Sequence, residues 1–247
     1  MDNTALKKFA ASARIKLIAG VKARAKLFGI EATGIKELQI FDNILMVNGE
    51  PAENRHKLLY NQLIYDIKRH SVEYSYEEAY EIVMEEVAYT WFNRLVAIRF
   101  MEIHDYLPIQ MNLLSSSEGR PEPDSMYHVN QLVDVLSLDQ TIIWKYQGTH
   151  DQNELFKYLL VHQSHQLGEL IPEAFSAISS AEELLLPDNL LGKTSVIDEL
   201  VNTLDDSNWE EVEVVGWLYQ FYNSEVKERV GGLKNNAVSK RYLPTVT

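Results

Sequence analysis

Tyr76–His104, YEEAYEIVMEEVAYTWFNRLVAIRFMEIH, contains neither glycine nor proline. It is far longer than the roughly 5–6 residues of an ordinary strand, so the reading is helix. In its second half Val87, Ala88, Trp91, Phe92, Leu95, Val96, Ile98 and Phe100 surround most of the helix axis. A helix that is apolar nearly all round has to be enclosed by other elements. This one stretch therefore predicts a central buried helix in a mainly α fold, with Ser75 placed to cap it.

Working outward, Leu107-Pro108 ends the helix, and Gly119, Pro121 and Pro123 make the following stretch a loop, since proline removes a backbone donor and restricts the residue before it. Upstream, residues 52–69 align Leu58, Leu59, Leu63, Ile64 and Ile67 on one helical face, and residues 34–51 read as irregular, punctuated by Gly49-Glu50-Pro51. Residues 3–28 set Leu6, Phe9, Ala10, Ala13, Leu17, Val21 and Ala25 at helical spacing, with Gly29 as the stop. Downstream, helices are predicted around 126–146, 151–170, 195–204 and 209–228, broken by Gly148, Pro172 and the segment Pro187–Gly192. Asp205–Asn208 reads as the N-cap before Trp209. No strand-and-hairpin series and no repeated unit is visible. The expectation is a multi-helix globular domain, mainly α with little or no β, built either as one body or as two helical subdomains. The divisions are 1–108 with the basic first helix and the buried one, a loop at 109–125, an acidic helical part at 126–230, and a linker at 231–247 beginning Gly231-Gly232.

Charge is distributed unevenly. The net charge is −13, yet residues 121–220 hold eighteen Asp and Glu against three Lys, a net of −15, which leaves +2 for the rest. Such an acidic stretch repels a phosphate backbone, so any DNA contact is expected from the ends of the chain. Lys7, Lys8, Arg14, Lys16, Lys22 and Arg24 on the first helix, with Lys240 and Arg241 near the end, are the candidate phosphate contacts. The competing reading is a solvated polar face. The chain has no cysteine, which excludes disulfides, a thiolate nucleophile and thiolate metal sites and fits a reducing compartment. No stretch of about 18 uncharged apolar residues occurs and the first ten residues lack a signal-peptide core. The chain reads as soluble and cytoplasmic, with no membrane partner.

Other constellations carry less. His162, His165 and Glu169 share a helical face as a partial metal set, but zinc sites need further ligands and support. Glu53 and His56 have Glu-x-x-His spacing without the second copy a di-iron bundle needs. No metal is therefore expected. Trp91, Phe92, Trp217, Tyr219, Phe221 and Tyr222 can stack bases, yet their helical spacing reads as core packing. Arg94 and Arg99 within the buried helix demand partners such as Glu85, Glu86 or Glu102. The acid pairs Glu85-Glu86, Asp205-Asp206 and Glu210-Glu211 are adjacent in sequence, so they point to different sides of a helix and form no carboxylate dyad. No nucleophile elbow, phosphate loop or dinucleotide fingerprint is present. No catalytic residues are named.

Three blocks resemble the N-terminal region of the PglX-type adenine-specific DNA methyltransferases of BREX phage-defence systems. They are EEVAYTWFNRLVAIRFMEIHDYLP at Glu85–Pro108, ELLLPDNLL at Glu183–Leu191 and VEVVGWLYQFYNSEVKE at Val212–Glu228. The resemblance extends to Ser239–Thr247, SKRYLPTVT, which in that family continues into a Phe-Thr-Pro motif opening the methyltransferase domain. What it implies is a parent enzyme that transfers a methyl group from S-adenosylmethionine to adenine N6 in a short non-palindromic site. The donor loop and the Asn-Pro-Pro-Tyr motif that grips a flipped adenine are expected beyond these residues, since no Pro-Pro dipeptide occurs here. On this reading the chain holds no cofactor and no catalytic group. Its implied partners are the methyltransferase domain of the same polypeptide, double-stranded DNA and other BREX subunits. The alternative, from charge alone, is a free-standing acidic helical interaction protein that mimics DNA or binds a basic partner.

Overall fold

The computed structural model describes residues 3–42, 44–47, 49–52, 54–172 and 175–232. Its first helix, α1 (Asn3–Leu27), buries Leu6, Phe9, Ala10, Ala13, Leu17, Val21 and Ala25, the residues whose spacing predicts it. Gly29 stops it at φ +70°, where a Cβ would lie 2.2 Å from the Lys36 carbonyl oxygen. Only glycine fits there.

The segment read as irregular is instead folded into small antiparallel pieces. β1 (Ile30–Glu31) pairs with β2 (Gly34–Ile35), and β3 (Ile40–Phe41), β4 (Ile44–Val47) and β5 (Glu50–Pro51) follow in meander order, with Ile40 opposite Leu45 and Val47 opposite Glu50. Strands of two to four residues are too short to show a period-2 pattern. They leave the protein mainly α, at 61% helix and 6% strand.

Next come α2 (Asn54–His70) and α3 (Tyr76–Ile103). A reciprocal capping box starts α3: the Ser75 hydroxyl accepts from the Glu78 amide and the Glu78 carboxylate accepts from the Ser75 amide. The predicted helix over 126–146 is broken into α4 (Asp124–Tyr127), a 3₁₀ turn at Val129–Gln131 and α5 (Gln140–Gly148). The break has a local cause. Ser137 sits at φ +51°, and the Asp139 carboxylate accepts from the amide and hydroxyl of Thr141, starting a new helix. The remaining helices are α6 (Gln152–Leu170), α7 (Ser180–Leu184), α8 (Val196–Asn202) and α9 (Glu213–Gly232). Asp205–Asn208 does not cap α9. It begins a separate 3₁₀ turn, Asp206–Trp209, which buries Trp209 completely. Gly231 and Gly232, assigned by composition to a linker, close α9.

α3 is the axis of the packing, with α1, α2, α7, α8 and α9 laid against it. Trp91 and Phe92 are buried, Phe92 lies 6.0 Å from the Phe9 ring and 4.5 Å from Tyr222, and the Trp91 indole donates to the Glu182 carbonyl at 2.8 Å. Since α1 also packs on α8 and α9, and α2 on α7, elements from both sides of residues 109–125 share one hydrophobic core. No helix among the described residues is long and apolar enough to cross a membrane.

Candidate functional site

The cations of α1 were the leading candidates for a nucleic-acid surface, and the fold spreads them between two environments. Lys7 and Lys8 are exposed, Lys7 standing 5.2 Å over the Phe221 ring. The others turn toward protein. Arg14 is buried, paired with Glu85 and 6.0 Å above Tyr222. Lys16 meets Glu199 at 2.7 Å, Lys22 meets Glu81 at 2.7 Å, and Arg24 meets Asp188 at 3.0 Å while its Nε donates to the Leu184 carbonyl. Three of these acids, Glu199, Asp188 and the more distant Glu154 at 4.0 Å from Arg24, come from the acidic middle of the chain. The charge asymmetry seen in the sequence is thus partly an internal attraction between α1 and the elements it packs on. Lys240 and Arg241 lie outside the described residues.

Arginines of α3 build a second polar layer. Arg99 donates to Glu102 at 2.6 Å, as the sequence suggested, and also to Ser115 and Asp206. Glu102 is itself buried and accepts from the Leu114 amide and the Ser115 hydroxyl, both at 2.6 Å, pinning the loop that follows α3. Arg94 corrects the expectation. It reaches neither Glu85 nor Glu86 but donates to the Ser176 carbonyl at 2.8 Å and lies 3.5 Å from Glu182, because Glu85 faces α1. Burial pulls the Arg94 guanidinium below the ordinary arginine range, and Glu182 works the other way. A pocket of about 150 Å³ lies beside it, lined by Tyr89, Asn93, Phe175 and Tyr219.

The histidines do not converge. The His162 ring meets the Leu136 carbonyl at 3.1 Å through Nδ1, and burial holds its pKa below the usual imidazole value, with His165 and Arg55 adding to the effect and the Leu136 contact opposing it. Among the described residues no three His, Asp or Glu side chains are grouped to hold a metal ion. His56 packs edge-on to Phe28, 6.0 Å between rings, and Glu53 lies outside the described residues.

Of the aromatics read as core, Trp91, Phe92 and Tyr222 are. Trp217 is not: it is 39% exposed and stacks on Phe221 at 5.9 Å, beneath Lys7. Burial raises the phenols of Tyr80, to about 12, and of Tyr219 and Tyr222, so none of the three is a base near neutral pH.

No protein-family model matches the chain. It is 35% identical over 255 aligned residues to the adenine-specific methyltransferase BrxX of Escherichia coli O9:H4 (strain HS), a match that takes in 100% of this chain and 20% of that protein. It is 31% identical over 268 residues to the adenine-specific methyltransferase PglX of Lacticaseibacillus casei (strain Zhang), again 100% of this chain but 22% of that protein. The chain is a relative of PglX-type adenine-specific methyltransferases. It spans about a fifth of the length of the curated relatives it matches. The strings that carry the PglX resemblance supply much of the core: Glu85–Pro108 lies on α3 and the turn after it, and Val212–Glu228 on α9.

Proposed function

We propose that this chain is the N-terminal, non-catalytic helical part of a longer adenine-N6 DNA methyltransferase of the BREX type, acting in the cytoplasm as a scaffold for the S-adenosylmethionine-dependent domain. The observation that carries the proposal is the match of the whole chain to only a fifth of each methyltransferase relative. The way α1 spends most of its charge on internal partners supports a scaffolding role over a DNA-gripping one. In this reading Lys7 and Lys8 retain an auxiliary contact with phosphate, while Arg14, Lys16, Lys22 and Arg24 act in holding α1 to the body.

The test is calorimetric. Residues 1–247 titrated with S-adenosylmethionine are expected to give no stoichiometric heat and to leave unmodified DNA unmethylated. Stoichiometric donor binding or methyl transfer by these residues alone refutes the reading. In a gel-shift series, K7E/K8E is expected to lower any DNA affinity and flatten its salt dependence by a slope of about 2, since each phosphate contact contributes about 0.9.

A further inference from the structure

The cavity of about 150 Å³ beside Arg94 is where α3 meets α9 and the segment ahead of α7. Tyr89, Asn93, Arg94 and Ala97 line it from α3, Tyr219 from α9 and Phe175 from that segment. The Tyr219 hydroxyl donates to the Asn93 backbone carbonyl at 3.3 Å, which ties α9 to α3 at this point. Pockets for drug-sized ligands run to about 300–1,000 Å³, so this one suits a smaller molecule.

Its polar groups are incompletely used. Arg94 is 4% exposed, and a guanidinium carries five N–H donors. Nη2 donates to the Ser176 carbonyl at 2.8 Å and lies 3.5 Å from the Glu182 carboxylate, whereas Nε and Nη1 are buried and meet no acceptor among the described residues. The Glu182 contact is long beside the roughly 2.7–2.9 Å of a charge-assisted hydrogen bond. The same carboxylate oxygen also accepts from the Ser179 amide at 3.0 Å, in the capping box of α7. Arg94 is thus a buried cation whose counter-charge is distant and shared, an arrangement that costs stability until a better partner arrives. Desolvation is also what pulls its pKa down. Next to it the Asn93 side-chain oxygen Oδ1 is buried without a donor. The Phe175 ring centre stands 5.9 Å from the guanidinium carbon, and Tyr89 and Tyr219 add aromatic wall.

A cation with spare N–H groups calls for an anion, an acceptor without a donor calls for a hydroxyl or amino group, and aromatic walls call for an apolar body. One arginine already shared with Glu182 matches a single negative charge better than a phosphate dianion. We infer that this cavity binds a small organic monocarboxylate, with the carboxylate on Arg94, a hydroxyl or amino donor on Asn93 Oδ1 and an apolar body against Phe175, Tyr89 and Tyr219. The inference stands apart from the proposed function, since it requires neither the methyl donor nor DNA.

The experiment titrates ¹⁵N-labelled residues 1–247 with mandelate, which joins a carboxylate, an adjacent hydroxyl and a phenyl ring, and follows the Arg94 Nε–H resonance, assigned by its loss in R94M. A saturable shift is expected with a Kd of about 1 mM or tighter, which asks only a modest efficiency of each ligand atom. Benzoate, without the hydroxyl, is expected to bind severalfold more weakly, and benzyl alcohol, without the carboxylate, to leave the resonance in place. A97L puts a larger side chain into the cavity away from Arg94 and is expected to weaken mandelate at least tenfold, its fold checked by circular dichroism; should it fail to fold, the ligand series on the wild type decides alone. An Arg94 resonance that stays put at millimolar mandelate overturns the proposal, as does benzyl alcohol shifting it equally. Inorganic phosphate binding as tightly as mandelate makes this a general anion site and overturns the organic carboxylate, and unchanged mandelate affinity in folded A97L places the ligand elsewhere and overturns the site.

Discussion

Replacing Glu102 by leucine tests how the loop after α3 is held. The side chain is 1% exposed, and its two oxygens accept from Arg99, the Leu114 amide and the Ser115 hydroxyl, each at 2.6 Å. Leucine fills similar space but accepts nothing. The Leu114 amide loses its acceptor, and Arg99, whose side chain is 8% exposed, keeps one carboxylate, Asp206 at 3.2 Å, on a side chain that is 79% exposed and well screened. Breaking a buried pair from one side costs about 3–5 kcal/mol. For a chain of this size each kcal/mol moves the midpoint by about 2–4 °C, so E102L is expected to melt roughly 6–20 °C lower by circular dichroism. The double variant R99M/E102L removes both charges and is expected to recover most of the loss, because two apolar groups of matching size replace a buried pair at little cost. A drop of less than about 1 kcal/mol for E102L, or a double variant no better than the single, refutes the view that this pair anchors the loop.

Three further outcomes follow from the packing. W91F removes the indole that donates to the Glu182 carbonyl at 2.8 Å inside a fully buried site. It is expected to lose about 2–4 kcal/mol in urea unfolding, from a cavity and an orphaned acceptor together. Gly20 and Gly216 both lie inside helices, yet a Cβ on Gly20 would fall 2.7 Å from the Pro187 ring while one on Gly216 meets nothing within 4 Å. G216A is therefore expected to stabilise by up to about 1 kcal/mol, whereas G20A is expected to destabilise by about 1–2 kcal/mol because the ring cannot retreat. Asp124 is buried; burial alone would raise its pKa, but hydrogen bonds from Ser117 and Ser116 and the nearby Arg120 outweigh that and lower it. A lowered folded value adds stability at pH values above the unfolded carboxylate pKa of about 3.9 and loses it as pH falls through the folded value. The stability gap between wild type and D124N is thus expected to be constant above about pH 5 and to close below pH 4; a gap unchanged at acid pH refutes it.

Much of this protein is legible one residue at a time. The length of Tyr76–His104 and the apolar wrapping of its second half decide that α3 is central, because a helix segment that is apolar nearly all round has nowhere to go except inside. The periodicity of residues 3–28 and the glycine after them decide α1, and Ser75 decides where α3 begins. These are local facts, set by helix period and backbone capping. What failed was short-range in another sense. The hairpins at residues 30–51 have too few residues per strand to print a period, and Ser137 with Asp139 broke a helix that hydrophobic spacing alone had continued.

Partnership was beyond the sequence. It named Arg94 and Arg99 as cations in need of acids, but only the packing of α1 on α3 decided that Glu85 serves Arg14, leaving Arg94 to Glu182. It displayed a basic helix and an acidic middle, which read separately as a DNA surface and a repulsive face. The tertiary structure brings Lys16 to Glu199 and Arg24 to Asp188, so part of that contrast is consumed inside the fold. Charge is written in the chain residue by residue, whereas which charges remain free to meet anything else depends on distances of a few ångströms between residues more than 150 positions apart, and those exist only once the helices have packed.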